Sequence, residues 1–221
     1  MSIVKVSNLC KTYGKSDTLI NALNGVNFTI EKGEFVAIVG SSGSGKSTLL
    51  NIVGGIDQPT SGEVIIDGHT ISEMSNAELT VYRRDNIGFV FQHYNLVPIL
   101  NAYENIVLPI ELASRKVDEE YVTEVMQSLG IVDKKYKYPA HLSGGEQQRV
   151  AIARSLVTKP SIILADEPTG NLDSQNGHQV IDLLQKTIKT YNQTLIMITH
   201  NEAISQTADR AIRIEDGRIV H

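Results

Sequence analysis

The stretch whose residue types indicate chemistry most directly covers nine positions between two apolar segments. It fits the pattern G-x-x-x-x-G-K-[ST] and consists of Gly40, Ser41, Ser42, Gly43, Ser44, Gly45, Lys46, Ser47 and Thr48. Glycines allow successive backbone N–H groups to curl around a phosphate, and a helix that begins there adds partial positive charge. We therefore expect this loop to bind nucleotide phosphates, with Lys46 at the β- and γ-phosphates and the Ser47 hydroxyl on Mg²⁺.

The segments on either side of this loop have the composition that such a loop requires. Phe35–Val39 contains five apolar residues without alternation, which predicts a strand buried on both faces. Residues 49–53 are mostly apolar and predict the first turns of a helix. The motif therefore lies between a strand and a helix, which is the context that distinguishes a phosphate-binding loop from a chance glycine-rich turn.

Two adjacent carboxylates supply a second candidate for chemistry. Residues 162–165 are apolar and are followed directly by Asp166 and Glu167. An apolar strand that ends in Asp delivers its carboxylate to the carboxyl edge of a parallel sheet, where a phosphate loop also lies. We expect Asp166 to hold Mg²⁺ through water and Glu167 to act as the base that polarises the attacking water.

Composition limits the class of protein. The 221 residues are 41% hydrophobic, which is enough for one sizeable core or two closely joined lobes. The net charge of −5 argues against a nucleic-acid-binding protein, although it leaves room for a local basic patch. A single cysteine, Cys10, is consistent with a reducing compartment. We expect a soluble chain that reaches a membrane only through a partner, because it lacks a secretory-signal pattern and an apolar run of the ~20 residues that a membrane helix needs.

Periodicity predicts an α/β protein with a mostly parallel core sheet, preceded by antiparallel strands. Strand-like and helical runs alternate along the chain, and a helical segment at about 93–160 interrupts the strands. Hairpin turns are predicted at Asp67-Gly68 and Asp216-Gly217, and residues 8–21 are interpreted as mostly loop. Ser75 and Glu78 form a capping-box pattern that predicts a helix from about residue 76 to residue 84.

A second turn with the composition of an anion-binding site occurs at residues 142–149. Leu142-Ser143-Gly144-Gly145-Glu146 is followed by Gln147 and precedes a helical stripe, so a Ser-Gly-Gly turn opens a helix. Here the sequence resembles the ATP-binding-cassette (ABC) ATPases, whose signature reads LSGGQ; Glu146 is a departure from that pattern. The resemblance extends over nearly the whole chain and implies a single P-loop ATPase domain over 1–221, with a helical subdomain at about 93–160.

The resemblance also implies roles for residues outside the two turns. Tyr13 matches the aromatic residue that stacks on adenine, Gln92 the glutamine that touches Mg²⁺ and senses the γ-phosphate, and His200 the switch histidine. Residues 170–173, Gly-Asn-Leu-Asp, match the loop that crosses the dimer interface. In the family, the signature turn binds the nucleotide of a second chain. The resemblance implies that the nucleotide-binding residues of this turn are Ser143, Gly144, Gly145 and Gln147.

The same resemblance implies ATP and Mg²⁺ as cofactors, a second copy of the chain and integral membrane permease subunits as partners, and a place at the inner face of the cell membrane. Residues 165–173 and 87–96 look most similar to the macrolide-export, lipoprotein-release and antimicrobial-peptide-resistance branch. A cell-division ATPase that signals across the membrane without transport remains an alternative. A DNA-repair or chromosome-maintenance ATPase is less compatible, because only 103 residues separate Gly40 from Ser143 and no heptads intervene.

The segment that follows Gln92 is rich in apolar groups and has two possible interpretations. It is either part of the core of the helical segment or a surface that docks a membrane subunit. The residues concerned are Tyr94, Leu96, Pro98, Leu100 and Tyr103.

Overall fold

The computed structural model describes residues 2–15 and 18–220, with the side chain of Ser174 left out. The chain divides into two compact units, one formed by Met1–Arg83 with Thr194–His221 and one formed by Arg84–Gln193. The segment 93–160, predicted as a helical subdomain, falls within the second unit, which also contains two strands. The assignment of residues 1–221 to one ATPase domain stays a prediction.

The elements alternate between strands and helices along the chain, as the periodicity predicts. Those of the first unit are β1 (Ser2–Tyr13), β2 (Ile20–Glu31), β3 (Phe35–Val39), α1 (Lys46–Val53), β4 (Ser61–Ile66), β5 (His69–Thr70) and most of α2 (Asn76–Asn86). Those of the second unit are β6 (Ile87–Phe91), α3 (Ala102–Leu112), α4 (Glu119–Ser128), α5 (Gly144–Leu156), β7 (Ile162–Asp166) and α6 (Ser174–Thr190). The first unit resumes with β8 (Thr194–Ile198), α7 (Glu202–Ser205), β9 (Arg210–Glu215) and β10 (Arg218–Val220).

The first unit contains an antiparallel sheet and a parallel one. The antiparallel sheet has the order β2-β1-β4-β5. In the parallel sheet β3 pairs with β8 on one side and with β9 on the other, and β10 closes as an antiparallel hairpin with β9. Phe35, Val36, Ala37 and Ile38 of β3 are all buried, which confirms the prediction of a strand covered on both faces.

The interpretation of residues 8–21 as mostly loop is wrong for most of the segment. β1 continues to Tyr13 and β2 begins at Ile20, while Ser16 and Asp17 lie outside the described residues. β1 pairs with both β2 and β4, and its register shifts near Asn8, whose φ of 48° is left-handed. This irregularity interrupts the alternation of apolar and polar residues, and for that reason the strand is not visible as a period of two.

The local signals of turns and helix starts are confirmed. Asp67 and Gly68 have φ values of 48° and 78°, and Asp216 and Gly217 have values of 47° and 73°. Two positive φ angles in succession are those of the tight hairpin turn that Asp-Gly favours. The Glu78 carboxylate accepts hydrogen bonds from the Ser75 N–H at 2.8 Å and from its hydroxyl at 2.7 Å, and α2 continues two residues beyond the predicted end.

The second unit combines a pair of parallel strands with the predicted helices. β6 and β7 are paired in register from Ile87–Ile162 to Phe91–Asp166. The predicted stripe of α4 is buried at Val122, Val125 and Met126, and Gly130 follows the helix with a φ of 64°. Within the described residues, the structure contains no helix whose length and apolar character would suffice to cross a membrane.

Candidate functional site

The phosphate loop of the first unit is built from close backbone contacts that require glycine. β3 ends at Val39 and α1 begins at Lys46. Gly45 has a φ of 106° and caps α1 without a side-chain hydrogen bond, so the first N–H groups of the helix stay available. A Cβ at Gly45 would overlap the carbonyl oxygen of Ala22, and one at Gly40 would overlap that of Ile214. The loop therefore lies against neighbouring backbone on one side, at the carbonyl oxygens of Ala22 and Ile214.

The cation of this loop is already placed over it. The Lys46 side chain is 8% exposed, and its Nζ donates hydrogen bonds to the carbonyl oxygens of Gly40 at 2.9 Å and Ser41 at 2.6 Å. The buried Ser44 hydroxyl has no partner among the described residues. A buried donor without a partner and an ammonium held by the loop backbone both fit a phosphate, which would accept from them.

The hairpin of β9 and β10 is hydrogen-bonded to the phosphate loop. The Gly217 N–H donates to the carbonyl oxygen of Ser44 at 2.9 Å, and the Asn24 N–H donates to the carbonyl oxygen of Gly217 at 2.8 Å. A Cβ at Gly217 would lie against Ala22 and Leu23. The turn between β9 and β10 thus holds the phosphate loop against β2, a contact that no sequence motif indicates.

Tyr13, the predicted adenine contact, belongs to a cluster of polar residues that the motifs did not identify. Its hydroxyl donates to Asp57 at 2.6 Å, and Lys11 donates to the other oxygen of the same carboxylate at 2.7 Å. Partial burial, and then the bond to Asp57, raises the pKa of Tyr13, whereas a hydrogen bond with the Thr48 side chain lowers it. Tyr13 is 39% exposed and lies beside the phosphate loop, which suits a contact with the base of a nucleotide.

Asp57 is held ionised by the same cluster. Its partial burial by itself would raise its pKa, but hydrogen bonds from Lys11, Tyr13 and the Gln58 N–H bring the pKa below its usual value. The Lys11 ammonium also lies 4.8 Å from the centre of the Tyr13 ring. A cation over an aromatic ring is favourable, so Lys11 fixes the ring while Asp57 fixes the hydroxyl.

His200 shares a sheet edge with the phosphate loop. β3 and β8 are parallel, with Ile38 paired to Ile198, so the segments that follow the two strands begin at the same carboxyl edge of the sheet. His200 is exposed at this edge. It follows the buried Thr199 and precedes Asn201, which is exposed. The Asn201 side chain caps α7 by accepting from the N–H groups of Ala203 and Ile204. The first unit therefore places Tyr13, the phosphate loop and His200 on adjoining elements.

The second unit brings Gln92 and the two carboxylates to one edge of its strand pair. Phe91 is paired with Asp166, so Gln92 and Glu167 are the next residues of the two strands. Asp166 and Glu167 are half-buried, and Glu167 has a left-handed φ of 44°. Such a backbone conformation is uncommon for a residue with a Cβ and is enriched at functional sites.

The loop at residues 170–173 is tied directly to Gln92. Asn171 accepts from the Gln92 side-chain amide at 3.3 Å and donates to the Gln92 carbonyl oxygen at 3.0 Å. Its amide nitrogen also lies 3.0 Å from Nδ1 of His93. A Cβ at Gly170 would overlap the Gln92 side chain. Sequence reasoning identified the loop and Gln92 separately, and the bond between them is a finding of the structure.

The signature turn is a helix start closed by side chains. Ser143 caps α5, because its hydroxyl oxygen accepts from the Glu146 N–H at 3.3 Å, while the Glu146 carboxylate accepts from the Ser143 N–H at 2.7 Å. The hydroxyl thus accepts from the helix N–H, and its side chain also hydrogen-bonds the Glu146 carboxylate. The hydrogen bond from the Ser143 N–H lowers the pKa of Glu146.

The remaining predicted residues of the signature turn have contacts within the second unit. Gly145 is buried, and the side-chain amide of Gln147 donates to the Leu142 carbonyl oxygen at 3.1 Å. The Tyr94 hydroxyl lies so close to Gly144 that a Cβ there would press against it. Glu146, the departure from the signature pattern, forms an ion pair with Lys134 at 3.2 Å.

The oxygen donors of the predicted metal set are of the kind that Mg²⁺ prefers, since hard cations take hydroxyl, carboxylate and amide oxygens. They come from Ser47, Gln92 and Asp166, and Ser47 is exposed at the start of α1. No cluster of three His, Cys, Asp or Glu side chains that would bind a metal occurs in the part of the chain that the structure describes.

The segment after Gln92 has features of both predicted interpretations. Tyr94, Leu96, Leu100 and Tyr103 are half-buried and Pro98 is exposed, while the neighbouring Ile99 is 81% exposed. Its function as a docking surface stays a prediction.

Comparison with known proteins identifies the family. A family model described as ABC transporter matches residues 23–170. An uncharacterized ABC transporter ATP-binding protein of Mycobacterium tuberculosis is 46% identical over 99% of this chain and 89% of its own length. The lipoprotein-releasing system ATP-binding protein LolD of Cytophaga hutchinsonii is 44% identical over 99% of both chains. The macrolide export ATP-binding/permease protein MacB of Hyphomonas neptunium is 43% identical over 99% of this chain, which spans 34% of that protein.

Among solved structures, a dimeric post-hydrolysis state of the ATP-binding cassette MJ0796 bound to ADP and Pi superposes with a TM-score of 0.88 and 44% identity. The alignment covers 99% of this chain and 97% of that chain. A second dimeric structure of MJ0796 superposes with a TM-score of 0.87.

Proposed function

The chain belongs to the ABC transporter family, and from that premise we propose that it is the ATP-hydrolysing subunit of an export or extraction system. The observation that carries this proposal is the phosphate loop, in which Lys46 is buried over the loop backbone and the α1 N–H groups have no side-chain cap. A loop of this kind binds the phosphates of a nucleotide. The names of two relatives, lipoprotein-releasing and macrolide export, favour a lipid-like, peptide or drug substrate.

We expect the first unit to bind the nucleotide. Tyr13 contacts adenine, and the N–H groups of residues 40–48 with the Lys46 ammonium contact the phosphates. The bonds from Lys46 to the carbonyl oxygens of Gly40 and Ser41 hold the ammonium against the loop backbone. Less reorganisation is therefore needed on binding, and charge is stabilised where it develops during phosphoryl transfer.

The groups proposed to act on water and on the metal come from both units. Bound Mg²⁺ would be held by Ser47, Gln92 and Asp166 and would neutralise charge on the phosphates. Glu167, whose backbone has a left-handed φ, would orient and deprotonate the attacking water. His200 would contact the γ-phosphate and help to orient that water.

We further propose that two copies of the chain share each nucleotide. The signature turn of Ser143, Gly144 and Gly145 is the second anion-binding helix start, and it would face the phosphates bound by the other copy. Solved relatives that are dimeric support this arrangement. Permease subunits at the inner face of the membrane would then be driven by closing and opening of the dimer.

Substitution of Glu167 tests this proposal. Glu167→Gln should bind ATP as the unmodified protein does and should lose turnover by at least about a hundredfold, because the base is removed while the phosphate loop is intact. The ATP-bound dimer should accumulate, visible as a doubling of mass in size-exclusion chromatography with ATP. Glu73→Gln is the matched control, since Glu73 is an exposed carboxylate away from both turns. Normal turnover of Glu167→Gln without ATP-dependent dimer would contradict the proposal.

A further inference from the structure

Arg154, near the end of α5, is a partly buried cation with an unusual environment. Its two terminal nitrogens donate to the carbonyl oxygens of Asn95 at 2.7 Å and Tyr94 at 2.8 Å. Burial lowers its pKa, and no carboxylate pairs with it among the residues that the structure describes. A guanidinium removed from water without a counter-ion is costly, so its position calls for a reason beyond packing.

The carbonyl groups that Arg154 holds belong to a strained piece of backbone. Tyr94 and Asn95 both have left-handed φ values, 60° and 49°, although neither is glycine. Consecutive residues rarely adopt this conformation, because the Cβ crowds the following carbonyl group. The planar guanidinium has two parallel donors and therefore fits two successive carbonyl oxygens at once, which stabilises the turn that the local sequence disfavours.

The same helix contacts the segment on the other side of Gln92. The fully buried Gln148 side chain lies 3.5 Å from the Phe91 carbonyl oxygen. The Tyr94 hydroxyl lies against Gly144 at the start of α5. Three points of α5 therefore touch residues on both sides of Gln92, and the strongest of them are the two bonds from Arg154.

We propose that Arg154 is a positioning residue for Gln92: it holds the strained turn at residues 94–95 and so fixes the glutamine side chain relative to the signature helix. The inference rests on the proposed role of Gln92 in contacting Mg²⁺ and the γ-phosphate. Its consequence is that a movement of the signature turn is transmitted to Gln92 through α5 and the Arg154 guanidinium. Arg154 itself touches neither nucleotide nor metal.

The dependence of ATP hydrolysis on Mg²⁺ concentration tests this role. Arg154→Gln should raise the Mg²⁺ concentration for half-maximal ATPase activity by about tenfold or more, as loss of a group that orients a metal ligand does. Affinity for a fluorescent ATP analogue without Mg²⁺ should stay within about twofold, since the phosphate loop is not involved. Arg154→Lys keeps the charge but lacks the double donor, and should show a smaller rise. Arg149→Gln, on the same helix and directed at Gln179, is the matched control.

A second variant separates positioning from a general loss of stability. Glycine adopts a left-handed φ without cost. Asn95→Gly added to Arg154→Gln should therefore bring the half-maximal Mg²⁺ concentration part of the way back to that of the unmodified protein. If thermal denaturation shows that Arg154→Gln is not folded, the half-maximal Mg²⁺ concentration is compared between Arg154→Lys alone and Arg154→Lys with Asn95→Gly. An unchanged Mg²⁺ dependence in the Arg154 variants, or a loss of activity that only follows the fall in melting temperature, would overturn the proposal.

Gln92→Ala distinguishes failure of this inference from failure of the proposed function. If Gln92→Ala raises the half-maximal Mg²⁺ concentration and the Arg154 variants do not, only the inference about Arg154 is overturned. If Gln92→Ala leaves the Mg²⁺ dependence unchanged in a protein that hydrolyses ATP, the assignment of Gln92 fails and the inference fails with it.

Discussion

The phosphate loop and the signature turn are both helix starts predicted to bind an anion, yet they are built differently. At α1 the cap is Gly45, with a φ of 106° and no side-chain bond, and a lysine of the loop itself lies over the backbone. At α5 the cap is Ser143, closed by a reciprocal pair of bonds with Glu146. The first helix start thus has no side-chain cap and carries its own cation, whereas the second is capped by side chains and carries a carboxylate.

The difference indicates a division of labour. An open start with a preplaced ammonium suits tight binding of phosphate by one chain alone. A start that is capped by side chains offers the N–H groups of its two glycines, which suits recognition of a phosphate that another chain already binds. We therefore expect the capping box to keep the signature turn rigid and weakly binding until a second chain presents its nucleotide.

The largest effect is expected from removing the cation of the open start. Lys46→Ala should lower the ATPase rate by at least about a hundredfold, because one stabilising group in such a site contributes that much to phosphoryl transfer. The rate is measured by phosphate release at saturating ATP. Lys32→Ala, which removes an exposed lysine of the same unit, should hydrolyse ATP normally. A Lys46→Ala protein that hydrolyses ATP at the unmodified rate would remove the loop from the mechanism.

A mixture of two inactive chains tests whether the two helix starts meet across a dimer. Ser143→Arg should abolish activity, because a long side chain fills the space in front of α5, while its phosphate loop stays intact. Mixed with Lys46→Ala, it should regain ATP-dependent association through one complete site, measured by size-exclusion chromatography or light scattering. Full activity of Ser143→Arg alone, at concentrations where it is monomeric, would end the shared-site arrangement.

The different backbones of the two starts predict different costs for an added methyl group. Gly45→Ala forces a left-handed residue against the Ala22 carbonyl oxygen and should lower the free energy of unfolding by roughly 1–3 kcal/mol. Gly144→Ala meets the Tyr94 hydroxyl and a methyl group of Leu172, which are the ends of side chains that can shift, so its cost should be below about 1 kcal/mol. Chemical denaturation of both variants measures the comparison, and equal costs would contradict it.

The smallest effect is expected from the carboxylate of the closed start. Lys134 neutralises Glu146 at 3.2 Å, so Lys134→Ala should leave a negative charge near the incoming phosphates. ATP-dependent dimerisation should weaken by about two- to fivefold at low salt and less at high salt, as for other partly exposed pairs. Glu146→Gln in the same chain should restore it, and Lys137→Ala, a nearby exposed lysine, should have no effect. A defect that persists in the double variant would assign Lys134 another role.

The sequence alone determined the elements whose causes are local. The glycines and lysine of residues 40–48, the apolar run of β3, the capping box at Ser75 and the Ser-Gly-Gly turn at Ser143 act over a few residues. Asp-Gly turns likewise set their own φ angles, so both hairpins could be predicted. The order of these motifs along the chain was enough to indicate the family, although the local register shift in β1 hid half of that strand.

Only the tertiary structure decided which distant residues complete the site. The Asp57–Tyr13 bond joins residues 44 positions apart, and the Asn171–Gln92 bond joins residues 79 positions apart. The bonds from Arg154 to residues 94 and 95 and the Lys134–Glu146 pair are of the same kind. A polar side chain carries no local signal of its partner, because its partner is fixed by how strands and helices pack. The sequence therefore determined the two loops that are predicted to bind phosphate, and the packing decided which residues hold them in place.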